Sequence, residues 1–141
     1  MFGKVFKAYD VRGVYPDPLD ETTAKKIGCA AGRHLRSKIQ GRDASDPMLQ
    51  HVVVGRDMRK SSPAMADALI EGLRSAPVNV IDVGMVDTSF IYFAVNHMGT
   101  CGGIMVTASH NPPQYNGFKI SGLEARPVGS GSGLEEIQRT G

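Results

Sequence analysis

The sequence predicts an α/β domain of three layers, with helices on both faces of a mixed, mostly parallel central sheet. Three observations carry that prediction. Short β-branched or apolar runs at 51–55, 78–83 and 103–106 alternate with segments of helical period. A further run at 117–121 follows its predecessor after only a tight loop, so it is expected to return antiparallel and make the sheet mixed. The 141 residues, 41% hydrophobic and 21% charged, suffice for one domain with its own core.

Taken in order, Val5 to Asp10 alternates loosely and reads as a first strand, followed by a loop from Val11 to Pro18 that holds two prolines. Asp20 is placed as a helix N-cap, with Glu21 in the first turn where the helix dipole favours an anion. Ala24, Ile27, Gly28, Ala31, Leu35 and Ile39 then recur at helical spacing, and the polar stretch from Gln40 to Pro47 breaks the pattern. His51-Val52-Val53-Val54-Gly55 is a buried strand closed by glycine. Ser62-Pro63 starts the next helix, Ser as N-cap and Pro at the first helical position, with Met65, Ala68, Leu69, Gly72 and Leu73 inward. Val78 to Val83 is a strand ended by Gly84, and Thr88 caps a third helix that buries Ile91, Ala94, Val95 and Met98. The strand Gly103 to Val106 leads into a polar loop, and Gly117 to Ser121 returns from it. Gly129 to Gly133 has linker composition and Leu134 to Ile137 one helical turn, so the expected division is a domain over 1–127 and a linker with the start of a truncated following segment over 128–141.

A formal net charge of +2, with no basic run longer than Lys25-Lys26, argues against a nucleic-acid partner. No apolar run approaches a membrane span and the first residues lack the layout of a signal peptide, so a cytoplasmic protein is expected. Cys29 and Cys101 lack metal or redox spacing and read as free thiols. His34, His51 and His97 stand in no motif and read as structural or surface residues.

Chemistry concentrates in Thr107-Ala108-Ser109-His110-Asn111-Pro112-Pro113-Gln114-Tyr115-Asn116-Gly117-Phe118-Lys119-Ile120. A serine at the tip of a loop directly after a strand sits where open α/β sheets bind their ligands, and Arg56, at the end of another strand, belongs to the same rim. A lone loop serine is ordinarily only a turn residue, so mechanisms have to be weighed. The G-x-S-x-G elbow is missing, His110 is too close in sequence to serve as a facing base, and no GxxxxGK[ST] loop occurs. Phosphoryl carriage asks for something else: donors and cations around a doubly charged group. Arg12, Arg56, Arg59, Lys60, His110 and Lys119 are the candidates for that role.

Three segments in order resemble the first domain of the α-D-phosphohexomutases, in their phosphomannomutase/phosphoglucomutase branch. They are Phe6-Lys7-Ala8-Tyr9-Asp10-Val11-Arg12-Gly13, then Val54-Gly55-Arg56-Asp57-Met58-Arg59-Lys60-Ser61-Ser62, then the serine loop running on through Ile120. The resemblance implies that Ser109 carries the phosphoryl group and, through that phosphate, one oxygen ligand of Mg²⁺. It further implies catalytic roles for Lys119 in proton transfer, for Arg12 in stabilising charge, and for His110 beside the phosphoserine or substrate. Tyr9, Arg12 and Lys119 would contact substrate. Asn111, Pro112, Asn116 and Gly117 would hold the loop geometry; Arg56 and Asp57 read either as a structural ion pair that shapes the loop or as substrate contacts, while Arg59 and Lys60 read as solvated surface charges.

The implied activity interconverts hexose 6-phosphate and hexose 1-phosphate through a hexose 1,6-bisphosphate, on mannose or glucose phosphates. Tyr115 to Lys119 resembles that branch more than the phosphoglucosamine branch. The resemblance covers only the first of four family domains. No D-x-D-x-D metal loop occurs here, so the chain alone is expected to be inactive and to depend on the remaining domains. The alternatives are a stand-alone α/β module that binds a phosphosugar or a protein without catalysis, and a phosphoglucosamine-type mutase.

Overall fold

The structure, a computed structural model, describes residues 2–7, 10–39 and 46–140. Five strands form one sheet in the order β1-β5-β4-β2-β3: β1 Val11–Val14, β2 His51–Arg56, β3 Asn79–Met85, β4 Gly102–Val106 and β5 Tyr115–Ser121. β2 pairs parallel with β3 and β4, whereas β5 pairs antiparallel with β4 and β1. Four strands thus point one way and only β5 opposes them, which is the mixed, mostly parallel sheet expected.

Helices α1 (Glu21–Ser37) and α2 (Ser62–Ser75) cover one face and α3 (Thr88–Met98) the other. The strand period of two divides the core between these layers. Val52, Val54, Ile104 and Val106 join Ile27, Leu35, Leu69 and Leu73 beneath α1 and α2. The intervening Val53 and Met105 pack with Ile91, Ala94 and Val95 beneath α3. Each fully buried Leu or Ile contributes about 1.5–3 kcal/mol, so both faces hold the sheet firmly.

The α1 and α2 backbones touch. A Cβ at Gly28 would run into the Leu69 carbonyl, and one at Gly72 into the Lys25 carbonyl. Beyond β5, the segment expected as a linker runs back along the strand, where Val128 N donates to Ile120 O at 2.8 Å. It then forms α4, Leu134–Thr140, and Val128, Leu134 and Ile137 belong to the larger core cluster. His34, buried in α1, has its Nδ1 3.3 Å from Glu136 Oε2 of α4, without hydrogen-bond geometry.

Several boundaries differ from expectation. Phe2–Val5 is a 3-10 turn and the first strand is Val11–Val14, inside the segment read as a loop. Its pairing with β5 places Val11 opposite Phe118 and Gly13 opposite Asn116, a long-range partnership that decides the conformation. Ser61, not Ser62, stands at the N-cap of α2, since the Ser62 hydroxyl is buried and donates to Asp57. Asp87 caps α3 in place of Thr88, accepting a hydrogen bond from Phe90 N. Asp20 caps α1 as expected, accepting from Thr23 N at 2.8 Å.

Candidate active site

The ends of two parallel strands set the frame. Arg56 and Val106 are register partners at the last positions of β2 and β4, and Asp57 N donates to Val106 O at 3.0 Å. The chain therefore leaves the sheet twice at one rim, first into the 57–61 turn and then into the serine loop.

Asp57 ties these exits together. Its Oδ1 accepts from Ser62 Oγ at 2.6 Å and from Arg59 N at 3.1 Å. Its Oδ2 accepts from Thr107 Oγ1 at 2.7 Å and Arg59 Nε at 3.0 Å. The Thr107 oxygen in turn accepts from Ser109 N at 3.0 Å. A short relay thus runs from a partly buried carboxylate, through one hydroxyl, to the backbone of the loop serine. Asn116, fully buried, closes the base of the loop: its Nδ2 donates to Ser61 Oγ and Ser62 Oγ at 2.7 and 3.0 Å, and its Oδ1 accepts from Gly117 N. At Gly117 a Cβ would strike the Val11 carbonyl, so the glycine is what lets β1 come this close.

Ser109 has φ 56°, a left-handed conformation rare outside glycine. What supports it is Arg59. The guanidinium donates from Nη2 to Ser109 O at 2.8 Å and Asn111 O at 2.9 Å, and from Nη1 to Pro112 O at 2.7 Å and Tyr115 O at 3.2 Å. With Nε on Asp57, its five N–H donors are matched by five acceptors. Within the loop, Asn111 N and Asn111 Nδ2 both donate to Ala108 O, and Tyr115 N donates to Pro112 O.

Ser109, His110 and Lys119 line one cleft of about 550 Å³, together with Asp57 and Thr107. Met58, Met85, Val86 and Met105 line it too, as do Asp87 and Thr88 at the start of α3. Arg12, on β1 opposite Gly117, lies outside that lining; its Nε donates to Asp10 Oδ1 at 3.1 Å and its side chain is about one-third exposed. Tyr9 lies outside the described residues.

Two expectations are corrected. Arg56 and Asp57 do not pair with each other: Arg56 Nη1 lies 3.8 Å from Asp82 Oδ1 across the parallel β2–β3 pair, while Asp57 takes Arg59. Successive residues leave a strand on opposite faces, which separates them. Arg59 is no solvated charge either, its side chain being only 9% exposed. Sequence reasoning also gave no weight to Thr107 and Ser62, both bound to Asp57. The available signal was the Asp57-x-Arg59 spacing directly after a strand, where a carboxylate can orient an arginine back towards the sheet. Lys60 faces a second, separate cleft with Tyr15, Ser61 and Gln114. Away from the cleft, His51 Nδ1 bonds Pro47 O at 2.8 Å, and His97 stacks on Phe93.

Among the described residues no three His, Cys, Asp or Glu side chains gather as a metal cluster. Of the two carboxylates that line the cleft, Asp57 spends both oxygens on Arg59, Ser62 and Thr107, and Asp87 Oδ1 accepts from Ser89 Oγ and Phe90 N. Mg²⁺ wants several hard oxygens, so these residues by themselves do not make its site.

Residues 3–139 match the profile of phosphoglucomutase/phosphomannomutase, alpha/beta/alpha domain I. The chain belongs to that family. It is 45% identical over 135 residues to a phosphohexose mutase of Xanthomonas campestris, covering 96% of this chain and 28% of the relative. With the phosphomannomutase of Salmonella typhimurium it shares 46% over 134 residues, covering 95% of this chain and 27% of the relative. A crystal structure of a phosphoglucomutase/phosphomannomutase family protein from Burkholderia thailandensis superposes with a TM-score of 0.79 at 42% identity, over 96% of this chain and 29% of that one. The chain therefore spans little more than a quarter of the length of these proteins. No helix among the described residues is long and apolar enough to cross a membrane.

Proposed function

We propose that this chain supplies the phosphoserine domain of a hexose-phosphate mutase, with Ser109 Oγ as the phosphoryl carrier. The observation that carries the reading is Ser109 itself, held in a left-handed turn at the carboxyl end of β4, in a cleft it shares with His110 and Lys119. A hydroxyl held this way presents its oxygen to a ligand without drawing on loop mobility, and phosphoryl transfer depends mainly on such positioning and on charge.

The step is an exchange between oxygens. The phosphoryl group leaves Ser109 for a free hydroxyl of the hexose monophosphate, giving the 1,6-bisphosphate, and the proton of that hydroxyl is taken up. The other phosphoryl of the bisphosphate then returns to Ser109 Oγ and the hydroxyl it leaves is reprotonated. Lys119, on β5 and in the cleft, is the candidate for both proton movements, and His110 for a hydrogen bond to the phosphate or sugar. Arg12 would add positive charge; among the described residues its guanidinium is bound only to Asp10, through Nε. Mg²⁺ when bound neutralises charge on the transferring group. Here it would find one oxygen on the Ser109 phosphate and must draw the rest from outside these residues.

Mannose and glucose phosphates are the substrates favoured, from the Tyr115 to Lys119 segment and the names of the relatives. Sugar recognition and most of the metal site fall to further domains, so this chain alone should not turn over. The test is Ser109→Ala in the native protein, with peptide mapping of phosphate in the unaltered form. Phosphate on Ser109 and loss of nearly all mutase turnover in the variant are expected; near-normal turnover without the hydroxyl would sink the assignment.

A further inference from the structure

We propose that Arg59 is the positioning residue of the phosphoryl-carrying serine, and that it binds no phosphate itself. The inference rests on the reading of Ser109 as carrier and adds a residue to that site. Four carbonyls of one loop, those of Ser109, Asn111, Pro112 and Tyr115, turn towards a single guanidinium at 2.7–3.2 Å. Carbonyl dipoles aimed at one point repel one another unless a cation stands between them, and here the cation is Arg59. Asp57 holds its Nε and balances its charge. No N–H remains for a ligand, so this arginine cannot serve as a phosphate clamp, the role an arginine in such a loop first suggests.

The grip explains the serine. The left-handed φ of Ser109 persists only where the surroundings over-determine it. Its carbonyl is fixed by Arg59 and its N–H by Thr107, and both of those side chains rest on Asp57. Lysine could not substitute, since an ammonium has three donors at one point and no planar fork to span four carbonyls.

The experiment is Arg59→Lys in the native protein, read in three ways. Phosphomannomutase kinetics should show kcat down about 100-fold, the scale of a 1 Å misplacement at a reacting group, with KM changed less than about threefold. Hydrogen exchange should quicken at the amides of Ser109, Asn111 and Tyr115 and stay native in α1 and α2. Arg59→Ala should regain part of its kcat when guanidinium is added at concentrations far below denaturing ones. Native kcat, or a raised KM at unchanged kcat, overturns the proposal, the latter by making Arg59 a substrate contact. Global unfolding of Arg59→Lys also overturns it, by assigning the arginine to the fold. Should the unaltered protein, with its further domains, show no phosphate on Ser109 and no turnover, the carrier reading fails. Loop exchange in Arg59→Lys then still decides the role of Arg59: quickening confined to the loop supports it and unchanged exchange overturns it.

Discussion

Ser109 occupies a backbone region that costs a non-glycine residue on the order of 1–3 kcal/mol. The loop recovers that cost through the Thr107 and Arg59 bonds to its backbone. Both lead back to Asp57, which makes this carboxylate the energetic centre of the site even though it touches no transferring atom. Asp57→Asn would leave a 9%-exposed guanidinium facing an amide that can donate as well as accept. Removing one partner of such a pair costs about 3 kcal/mol, because the remaining charge stays desolvated. Urea unfolding should show that loss; a change below about 1 kcal/mol would mean that the four carbonyls satisfy Arg59 without Asp57. At this scale the fold brings Ser109, Lys119 and His110 to one cleft and leaves Arg12 outside its lining, while Arg59, read from sequence as a solvated charge, has a largely buried side chain. An arginine in a polar turn looks the same in sequence whether it faces water or four carbonyls.

At the scale of elements, the site depends on how tightly the scaffold is drawn. Helices α1 and α2 approach until Gly28 and Gly72 meet opposing backbone. Gly72→Ala pits two effects against each other. Alanine improves helix propensity by about 1 kcal/mol. A methyl pressed into the Lys25 carbonyl cannot be relieved by a side-chain rotation, and overpacking of this kind costs about 1–3 kcal/mol or more. The clash should win. A lower denaturation midpoint is expected, and a stabilised variant would show that the helices can separate freely. Capping also depends on the surroundings: at two helix starts the N-cap is the residue before the expected one, Ser61 for α2 and Asp87 for α3. Ser62 is committed to Asp57, and Asp87 reaches Phe90 N.

For the molecule as a whole, α4 closes the domain against α1, and His34 lies at that contact. Burial pushes the imidazole below its ordinary pKa of 6.5, and outweighs the opposing pull of the Glu136 carboxylate. The unfolded chain therefore takes up a proton before the folded one does. Stability is complete above pH 6.5 and falls as pH drops from there towards the folded value. Melting temperatures at pH of about 7.5 and about 5.5 should fall further for the unaltered protein than for His34→Gln. Equal losses would exclude His34 as the responsible group. Cys101 shows the same desolvation on an anion: burial raises its thiol to about 11.

What the sequence determined by itself was the alternation of strands and helices, the antiparallel return of β5 and the serine loop at a strand end. Each of these is local: a period of two or of 3.6, a glycine stop, or a short connection whose length fixes direction. What only the tertiary structure decided was everything set by a distant partner. Val11–Val14 became a strand because β5 lay beside it, and residues 128–140 joined the core because Val128, Leu134 and Ile137 found apolar neighbours there. Arg59 became the support of Ser109 because folding carried it across about fifty positions of sequence to the serine loop, the Ser109 carbonyl lying 2.8 Å from its Nη2. Hydrogen bonds and burial at such separations depend on where the sheet brings two segments, and no local pattern encodes that place.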